Sequence, residues 1–410
     1  MGETKKVILK VRNLSKDFRL RSASFGGEKK ILHALSNVSI DIYEGETLGI
    51  IGESGCGKST FGKCLVRLHE PTGGEIEYEG KSLLKLRGKE LKHARKDLQM
   101  VFQDPFASLD PRQEAGKIIA EPMVIHRTEM DAAKREKAVL ELMQEVGLDA
   151  QHVHRFPHEF SGGQRQRINV ARALALNPRI IVCDEPVSAL DVSVQAQVLN
   201  LLEDIQKKYN LTYIFISHDL GVIKHISDRV AIMYLGRIVE LCEADEIYKN
   251  PLHPYTKALL SAIPPESPFE KKEEIELKGE IPSPIGDMKG CPLAGRCPNC
   301  MAACREKTPE LMEEKPGHSV ACLLYQKPFK WTGQKGTGKE RGERGSSAQG
   351  SQTLKKILKK RKEKMYEKED SKDDASGSGS LFADSLRGKR RKPGGRGNRR
   401  NQPCIGGKGN

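Results

Sequence analysis

One stretch of the chain combines glycines, a lysine and hydroxyl residues at the spacing of a phosphate-binding loop. Residues 52–60 read Gly-Glu-Ser-Gly-Cys-Gly-Lys-Ser-Thr and fit the pattern G-x-x-x-x-G-K-[ST]. The glycines let successive backbone N–H groups point at phosphate oxygens, Lys58 would reach the β- and γ-phosphates, and Ser59 would offer a hydroxyl ligand to Mg²⁺. A glycine-rich turn without a ligand is the alternative, but it would not require Lys-Ser at its end.

Two adjacent acids follow a short apolar run. Residues 180–183 have the pattern of a buried parallel strand, which ends at Asp184 and Glu185. Ligands of α/β sheets bind at the carboxyl ends of the strands. Asp184 is therefore predicted to hold Mg²⁺, and Glu185 to polarise a water as general base. A purely structural pair is disfavoured, because acids beside a buried strand are costly to desolvate.

Four further positions carry signals that are weak when each is taken alone. Gln103 closes an apolar strand and would present its amide to a metal ion or a water. His218 ends another strand on the same predicted sheet edge, although a hydrogen-bonded structural histidine fits that position better. Phe18 would stack on a nucleotide base, but an aromatic there more often packs in the core. Ser161 is a good N-cap whose first helical turn would hold an anion.

The elements that must position these residues are predicted from the hydrophobic pattern. A helix at residues 61–68 follows the phosphate loop, which is the strand–loop–helix context that the motif requires. From about residue 111 to 160 the chain changes to charged segments with helical spacing, which indicates an inserted helical part. Another helix is expected at 165–176. Strands are expected at residues 7–11, 38–42, 47–51, 98–102, 180–183 and 212–216.

Five of the ten cysteines lie between residues 291 and 322. In a chain whose first ten residues lack the apolar core of a signal peptide, such clustering favours a metal over disulfides. Four thiolates suit either a 4Fe–4S cluster or tetrahedral zinc, and spacing alone does not decide between them. Cys300 blurs the choice of ligands. Four reduced thiols that pack a small lobe are the alternative.

The net charge of +14 belongs almost entirely to the end of the chain. Residues 331–410 carry a net charge of +13, so the first 330 residues are nearly neutral. This tail is rich in Gly, Ser, Lys and Arg and is predicted to be disordered. It would attach to anionic lipid head groups or to nucleic acid, or it is a solvated extension, which we prefer. No apolar run approaches the roughly 20 residues of a membrane span.

In their order along the chain, these motifs resemble the ATP-binding subunit of an ABC transporter. They are the phosphate loop, Gln103, the Ser-Gly-Gly-Gln signature at 161–164, the apolar strand with Asp184 and Glu185, a Ser-Ala-Leu-Asp turn at 188–191, and His218. The Pro-Leu-His-Pro-Tyr-Thr segment at 251–256, followed by the cysteine-bearing extension, resembles more narrowly the F-type subunit of the oligopeptide/dipeptide importer family. The resemblance covers about residues 5–328.

The resemblance implies an α/β fold, the phosphate-loop ABC ATPase. Such a fold has a RecA-like core sheet, an antiparallel β subdomain and an inserted helical subdomain, here at about 104–165. It implies a nucleotide-binding domain at 5–260 and a C-terminal extension with a small cysteine-rich lobe at 261–328, before a disordered basic tail at 329–410. Cys291, Cys297, Cys304 and Cys322 match a family pattern that in relatives can hold a 4Fe–4S cluster, which favours the cluster over zinc.

The resemblance also implies a mechanism in which two ATPase subunits pair head to tail around ATP and Mg²⁺. Glu185 would activate the water, His218 would contact the γ-phosphate, and Gln103 would bridge Mg²⁺, the water and a permease helix. Ser59, Gln103 and Asp184 are the implied Mg²⁺ ligands. The implied nucleotide contacts, some of them to the ATP of the partner subunit, are Phe18, Gly52, Ser54, Gly55, Gly57, Lys58, Ser59, Thr60, Gln103, Asp184, Ser161, Gly162, Gly163, Gln164 and Asp191.

The implied function is ATP hydrolysis that powers peptide uptake at the cytoplasmic face of the cell membrane. The implied partners are a homologous D-type ATPase subunit in a heterodimer, two transmembrane permeases and an extracytoplasmic solute-binding protein. One alternative is a soluble ABC-type ATPase that acts on nucleic acid or ribosomes through the basic tail. The single phosphate loop and single signature argue against that class, so a nucleic-acid partner is not expected. Another alternative is import of a nickel chelate or a sugar.

Overall fold

The computed structural model describes residues 5–20, 30–263, 275–286 and 289–326. The predicted basic tail lies outside these ranges. The strands are β1 (Val7–Arg19), β2 (Ile31–Tyr43), β3 (Thr47–Ile51), β4 (Gly73–Tyr78), β5 (Lys81–Ser82), β6 (Leu98–Val101), β7 (Ile180–Asp184), β8 (Thr212–Ser217), β9 (Arg229–Tyr234), β10 (Arg237–Glu243), β11 (Met312–Lys315) and β12 (His318–Val320). The α-helices are α1 (Lys58–Leu65), α2 (Gly88–Asp97), α3 (Ala115–His126), α4 (Ala132–Glu145), α5 (Gly162–Leu174), α6 (Val192–Tyr209), α7 (Leu220–Ile226), α8 (Ala244–Lys249), α9 (Pro254–Ser261) and α10 (Ala302–Glu306).

The strands of the described residues form two sheets. The larger has the order β11-β12-β10-β9-β3-β8-β7-β6, and the smaller has the order β2-β1-β4-β5. Strands β9, β3, β8, β7 and β6 run parallel, whereas β10, β12 and β11 join by antiparallel pairing. The smaller sheet is antiparallel throughout. This is the α/β architecture, with an antiparallel β subdomain, that the family resemblance implies.

The parallel strands are buried on both faces, so each face of the large sheet carries its own apolar core. In β8, Tyr213 and Phe215 belong to one core cluster, and Ile214 and Ile216 belong to the other. The first cluster includes residues of α3, α4, α5 and α6, which form the helical insertion and the helices beside it. The second includes residues of α1, β1 and β2. The alternation of side chains along a strand explains this division.

Several predicted boundaries were wrong. The strands predicted at 7–11 and 38–42 were too short, because β1 and β2 pair with each other as far as Arg19 and Ile31. The strand predicted at 98–102 ends at Val101. The helix predicted at 61–68 begins three residues earlier, at Lys58, directly after a left-handed Gly57. The boundaries of β3 were predicted correctly.

The end of the described chain is attached to the large sheet by a buried polar cluster. The Glu240 carboxylate of β10 has no exposed surface and accepts hydrogen bonds from His318 Nε2 at 2.7 Å and from the backbone N–H groups of Leu252 (2.7 Å) and His253 (2.9 Å). Burial acts to raise the pKa of Glu240, but these hydrogen bonds outweigh it and lower the pKa below its ordinary value. The cluster connects β10 to β12 and to α9.

No helix within the described ranges is long and apolar enough to span a bilayer.

Candidate nucleotide site

The phosphate loop leaves the fully buried strand β3 and enters helix α1. Gly57, the residue before the helix, has a φ of 104°. A Cβ atom added there would lie 2.4 Å from the carbonyl oxygen of Ala34 in β2, so only glycine fits. The close approach of β2 therefore requires glycine at this end of the loop. The loop leads into the N-terminus of α1, where anions bind.

Lys58 lies inside the curl of this loop. Its side chain is almost fully buried, and Nζ donates to the carbonyl oxygens of Gly52 (2.7 Å) and Glu53 (3.1 Å). The next residue, Ser59, donates from Oγ to Asp184 Oδ1 at 2.7 Å. Burial raises the pKa of Asp184, and the hydrogen bond from Ser59 opposes that rise. A hydroxyl and a carboxylate in contact at a strand end are oxygen donors that Mg²⁺ prefers.

Glu185 occupies a backbone conformation that few non-glycine residues adopt. Its φ is 47°, in the left-handed region, which costs an L-residue about 1–2 kcal/mol. Its N–H donates to the carbonyl oxygen of Ile216 in β8 at 2.9 Å. Backbone strain of this kind is found at functional sites, where the surrounding structure holds it in place. Here it turns the chain sharply after Asp184, beside β8.

Two side chains from other strand ends contact the Glu185 carboxylate. Gln103 Nε2 donates to Glu185 Oε2 at 2.9 Å, and His218 Nδ1 lies 3.2 Å from the same oxygen. The parallel pairing of β6, β7 and β8 brings these ends to one edge of the sheet. The predicted position of His218 beside the two acids is therefore seen in the fold.

Gln103 and Glu185 face a cleft of about 250 Å³, whereas His218 and Asp184 are not among the residues that line it. Phe18 of β1 lies on one wall, with its ring in edge contact with His69 at a centroid distance of 5.6 Å. Residues from both sheets thus contribute to the walls of the cleft. The sequence-predicted residues that line it are Phe18, Ser54, Gly55, Gly57, Lys58, Ser59, Thr60, Gln103 and Glu185.

The signature residues lie elsewhere. Ser161 caps α5: its Oγ accepts from Gln164 N at 3.3 Å, and Gln164 Oε1 accepts from Ser161 N at 3.0 Å. A Cβ atom on Gly163 would lie 2.3 Å from Val194 Cγ1, so glycine is needed for the contact between α5 and α6. Asp191 caps α6 by accepting from Val194 N at 3.0 Å, which lowers its pKa. None of these residues lines the 250 Å³ cleft.

Several cleft residues were missed by sequence reasoning. His33 and Leu32 of β2, Leu235 and Gly236 after β9, and Pro284 also line the cleft. The motifs give no signal for them, because they reach the site through strand pairing. Leu32 lies directly opposite Phe18 in the register of β1 and β2. A second cavity, of about 530 Å³, lies between the small sheet and the C-terminal region and contains no phosphate-loop residue.

The four cysteines of the predicted cluster site share one lobe. The backbone N–H of Cys291 donates to the carbonyl oxygen of Cys304 at 2.7 Å, and the Cys291 thiol interacts electrostatically with those of Cys297, Cys304 and Cys322. Burial raises the pKa of Cys291 to about 11. Within the described part of the chain, however, no group of three or more His, Cys, Asp or Glu side chains is arranged to hold a metal ion.

Comparison with known proteins agrees with this geometry. The family pattern described as ABC transporter matches residues 35–188, and that described as oligopeptide/dipeptide transporter, C-terminal region, matches residues 239–304. The chain is similar to the solved dimeric ATP-binding cassette MJ0796 in a post-hydrolysis state bound to ADP and Pi. That match has a TM-score of 0.51 and 32% identity, and it covers 58% of this chain and 98% of the other.

Curated relatives are similar over nearly their whole length. The oligopeptide transport ATP-binding protein AppF of Bacillus subtilis is 53% identical over 321 residues, which is 78% of this chain and 97% of AppF. OppF of Escherichia coli, with the same description, is 50% identical, with coverage of 78% and 97%. The dipeptide transport ATP-binding protein DppF of Haemophilus influenzae is 48% identical, with coverage of 77% and 96%. This chain therefore belongs to the family of ATP-binding subunits of oligopeptide and dipeptide ABC transporters.

Proposed function

We propose that the chain hydrolyses ATP to power the uptake of di- and oligopeptides through partner permeases. The observation that carries the proposal is the meeting of Lys58, Ser59, Asp184, Glu185 and Gln103 at one edge of the parallel sheet. The printed names of the relatives, which are oligopeptide and dipeptide transport proteins, support the choice of solute over a nickel chelate or a sugar.

The chemistry follows from the positions of these groups. Glu185 takes a proton from the attacking water, Gln103 orients that water, and the ammonium of Lys58 neutralises phosphate charge. His218, whose Nδ1 lies 3.2 Å from Glu185 Oε2, would contact the γ-phosphate. Ser59, Gln103 and Asp184 would hold Mg²⁺, which would neutralise charge on the phosphates. ATP and water give ADP and phosphate.

The site is completed by a second ATPase subunit. Ser161, Gly163, Gln164 and Asp191 do not line this chain's own cleft, which fits a role at the ATP of a partner. The neighbour MJ0796 is described as a dimer. We propose a homologous D-type subunit as the partner, and the nucleotide-binding domain as residues 5–260 with the extension at 261–328.

Permeases would dock beside Gln103. A groove of about 340 Å³ lies next to Gln103 and is lined by Leu68, Phe102 and Ile125, among others. Leu68 and Ile125 are each about half exposed. The groove also contains charged side chains, such as that of Glu121, so it fits an amphipathic helix from a membrane protein. It supports peripheral attachment at the cytoplasmic face of the membrane, where a solute-binding protein would deliver peptide from the other side.

The four cysteines are proposed to hold a 4Fe–4S cluster with a structural role, and zinc is the competing occupant. Their chemistry supports the proposal, since Cys291, Cys297, Cys304 and Cys322 supply four thiols from one lobe. The side chains would have to move to bind it, because they form no metal-binding group among the described residues. They would also have to lose their protons, since burial raises the pKa values of Cys291, Cys297 and Cys322.

The test is peptide uptake by proteoliposomes that contain this chain, its partner ATPase, the two permeases and the binding protein. We expect uptake of a labelled oligopeptide only with ATP and Mg²⁺ inside. Transport of a nickel chelate or a sugar instead would show that the imported solute is not a peptide. Failure of the chain to co-purify with any permease, together with salt-sensitive recovery of RNA, would favour the alternative of an ATPase that acts on nucleic acid.

A further inference from the structure

Glu53 of the phosphate loop is held from outside the loop by three contacts. Its N–H donates to the hydroxyl of Tyr255 in α9 at 2.9 Å, and its carboxylate accepts from Arg296 Nη1 at 3.1 and 3.3 Å. Its carbonyl oxygen also accepts from Lys58 Nζ at 3.1 Å. One residue thus connects the phosphate-binding lysine to parts of the chain more than 200 residues away.

Arg296 belongs to the cysteine lobe, directly before Cys297. Its side chain is 11% exposed and that of Glu53 is 25% exposed, so the pair is screened less than a surface pair. Nη1 of Arg296 also lies 3.4 Å from the hydroxyl of Tyr234, whose ring packs against Tyr255 at a centroid distance of 4.7 Å. The two tyrosines and the ion pair form one continuous network of contacts to the loop, which we call the brace.

The loop motif itself does not require a carboxylate at position 53, because that position accepts any residue. A carboxylate in this loop weakens phosphate binding, since like charges repel each other. Arg296 supplies the compensating charge. Without it, an unpaired and partly buried anion would remain in the loop, one residue before Ser54, which lines the cleft.

We propose that Arg296 is a positioning residue for ATP: it neutralises Glu53 and holds the phosphate loop in its curled form. The cysteine lobe thereby supports nucleotide binding, although its cysteines lie far from the phosphate loop in the sequence. The inference rests on the proposed function, since it concerns the same ATP site.

A charge-removal cycle in the full-length chain tests the proposal, with a fluorescent ATP analogue and Mg²⁺ as the probe. We expect Arg296→Gln to weaken binding by about tenfold, and to raise KM for ATP much more than it lowers kcat. Adding Glu53→Gln to Arg296→Gln should return the affinity to within about threefold of the original chain, because the unpaired anion is then gone. A merely structural arginine would not be rescued in this way.

Arg305→Gln is the matched control. Arg305 lies in α10 of the same lobe and is exposed, with no side-chain ion pair among the residues that the structure describes. It should bind the analogue as the original chain does. If Arg296→Gln does not fold, Arg296→Lys replaces it and should weaken binding by a smaller factor.

Two results would overturn the inference: affinity unchanged in the Arg296 variant that folds, or a double variant that binds no better than Arg296→Gln. An original chain that does not bind the analogue at all would instead refute the proposed ATP site, so the two failures are distinguishable.

Discussion

Gln103 and Glu185 meet at the edge of the parallel sheet, where the Gln103 side-chain amide donates to the Glu185 carboxylate over 2.9 Å. The two residues are 82 positions apart in the chain and follow adjacent strands, β6 and β7. Gln103 also directly follows Phe102, which lines the groove proposed for the permeases. The contact therefore joins the proposed general base to the residue next to that groove.

Replacing Gln103 by alanine should slow hydrolysis without preventing ATP binding. The amide orients the water and the base, and a misplaced reacting group costs roughly 10²-fold in rate. Steady-state ATPase rates and binding of a fluorescent ATP analogue measure the two effects separately. A variant with normal turnover would show that Gln103 does not act on the water. Gln151→Ala, at an exposed position outside the cleft and the groove, is the control.

The variant Ser161→Ala should distinguish the structural role of Ser161, as the cap of α5, from its proposed role in ATP hydrolysis. Loss of its cap on α5 should lower stability by about 1 kcal/mol, seen in denaturant unfolding. Asp131→Ala removes a similar cap, on α4, where Asp131 Oδ1 accepts from Lys134 N at 2.7 Å. We expect comparable destabilisation in both variants but a loss of ATPase activity in the paired subunits only for Ser161→Ala. Equal activities would remove Ser161 from the site.

The stability of the chain should fall on acidification because of His253. This residue is 1% exposed, and its Nδ1 accepts from Tyr255 N, so it is held in the neutral form. Burial lowers its pKa from 6.5 to about 4. Since the unfolded chain binds the proton more tightly, this contribution is complete above pH 6.5 and is lost as the pH falls toward 4.

The loss between pH 7.5 and pH 5 should be about 2 kcal/mol from this group. Asn is a good N-cap that does not titrate, so His253→Asn keeps the cap on α9 and should flatten the pH dependence by that amount. Denaturant unfolding at the two pH values measures it. An unchanged difference between the pH values would assign the acid sensitivity to other groups, such as the buried Glu240.

Chain purified without oxygen should contain about four iron ions and four sulfides per molecule, and should be brown. Iron removal should lower the melting temperature, because a ligated lobe is stabilised by its metal. Iron and sulfide analysis of the original chain and of Cys297→Ser provides the measurement, with Cys300→Ser as the matched control. Colourless protein loaded with zinc would sink the cluster assignment.

Much of the site was predictable because local motifs place their own residues. Lys58, Ser59, Asp184 and Glu185 each follow a strand whose apolar pattern is plain in the sequence, and parallel strands bring their ends to one edge. The brace of Glu53 by Tyr255 and Arg296 was not predictable in this way. It depends on the packing of segments far apart in the chain, for which hydrophobic periodicity gives no signal.

The length of β1 and β2 shows the same limit. Polar residues between positions 11 and 19 interrupt the apolar pattern, so only a short strand was expected there. Antiparallel pairing with β2, and with β4 over part of its length, extends β1 to Arg19. Phe18 owes its position on the cleft wall to this pairing rather than to its local sequence.

The central claim is that this chain is a hydrolysing ATPase with Glu185 as its base. The most direct measurement is ATP hydrolysis by Glu185→Gln in the complex with its partner ATPase, compared at saturating ATP with a complex of the original chain, while bound nucleotide is counted in both. We predict that the turnover of this chain's site falls by at least about 10²-fold, with ATP still bound and the pair of subunits intact. Undiminished hydrolysis would contradict the account.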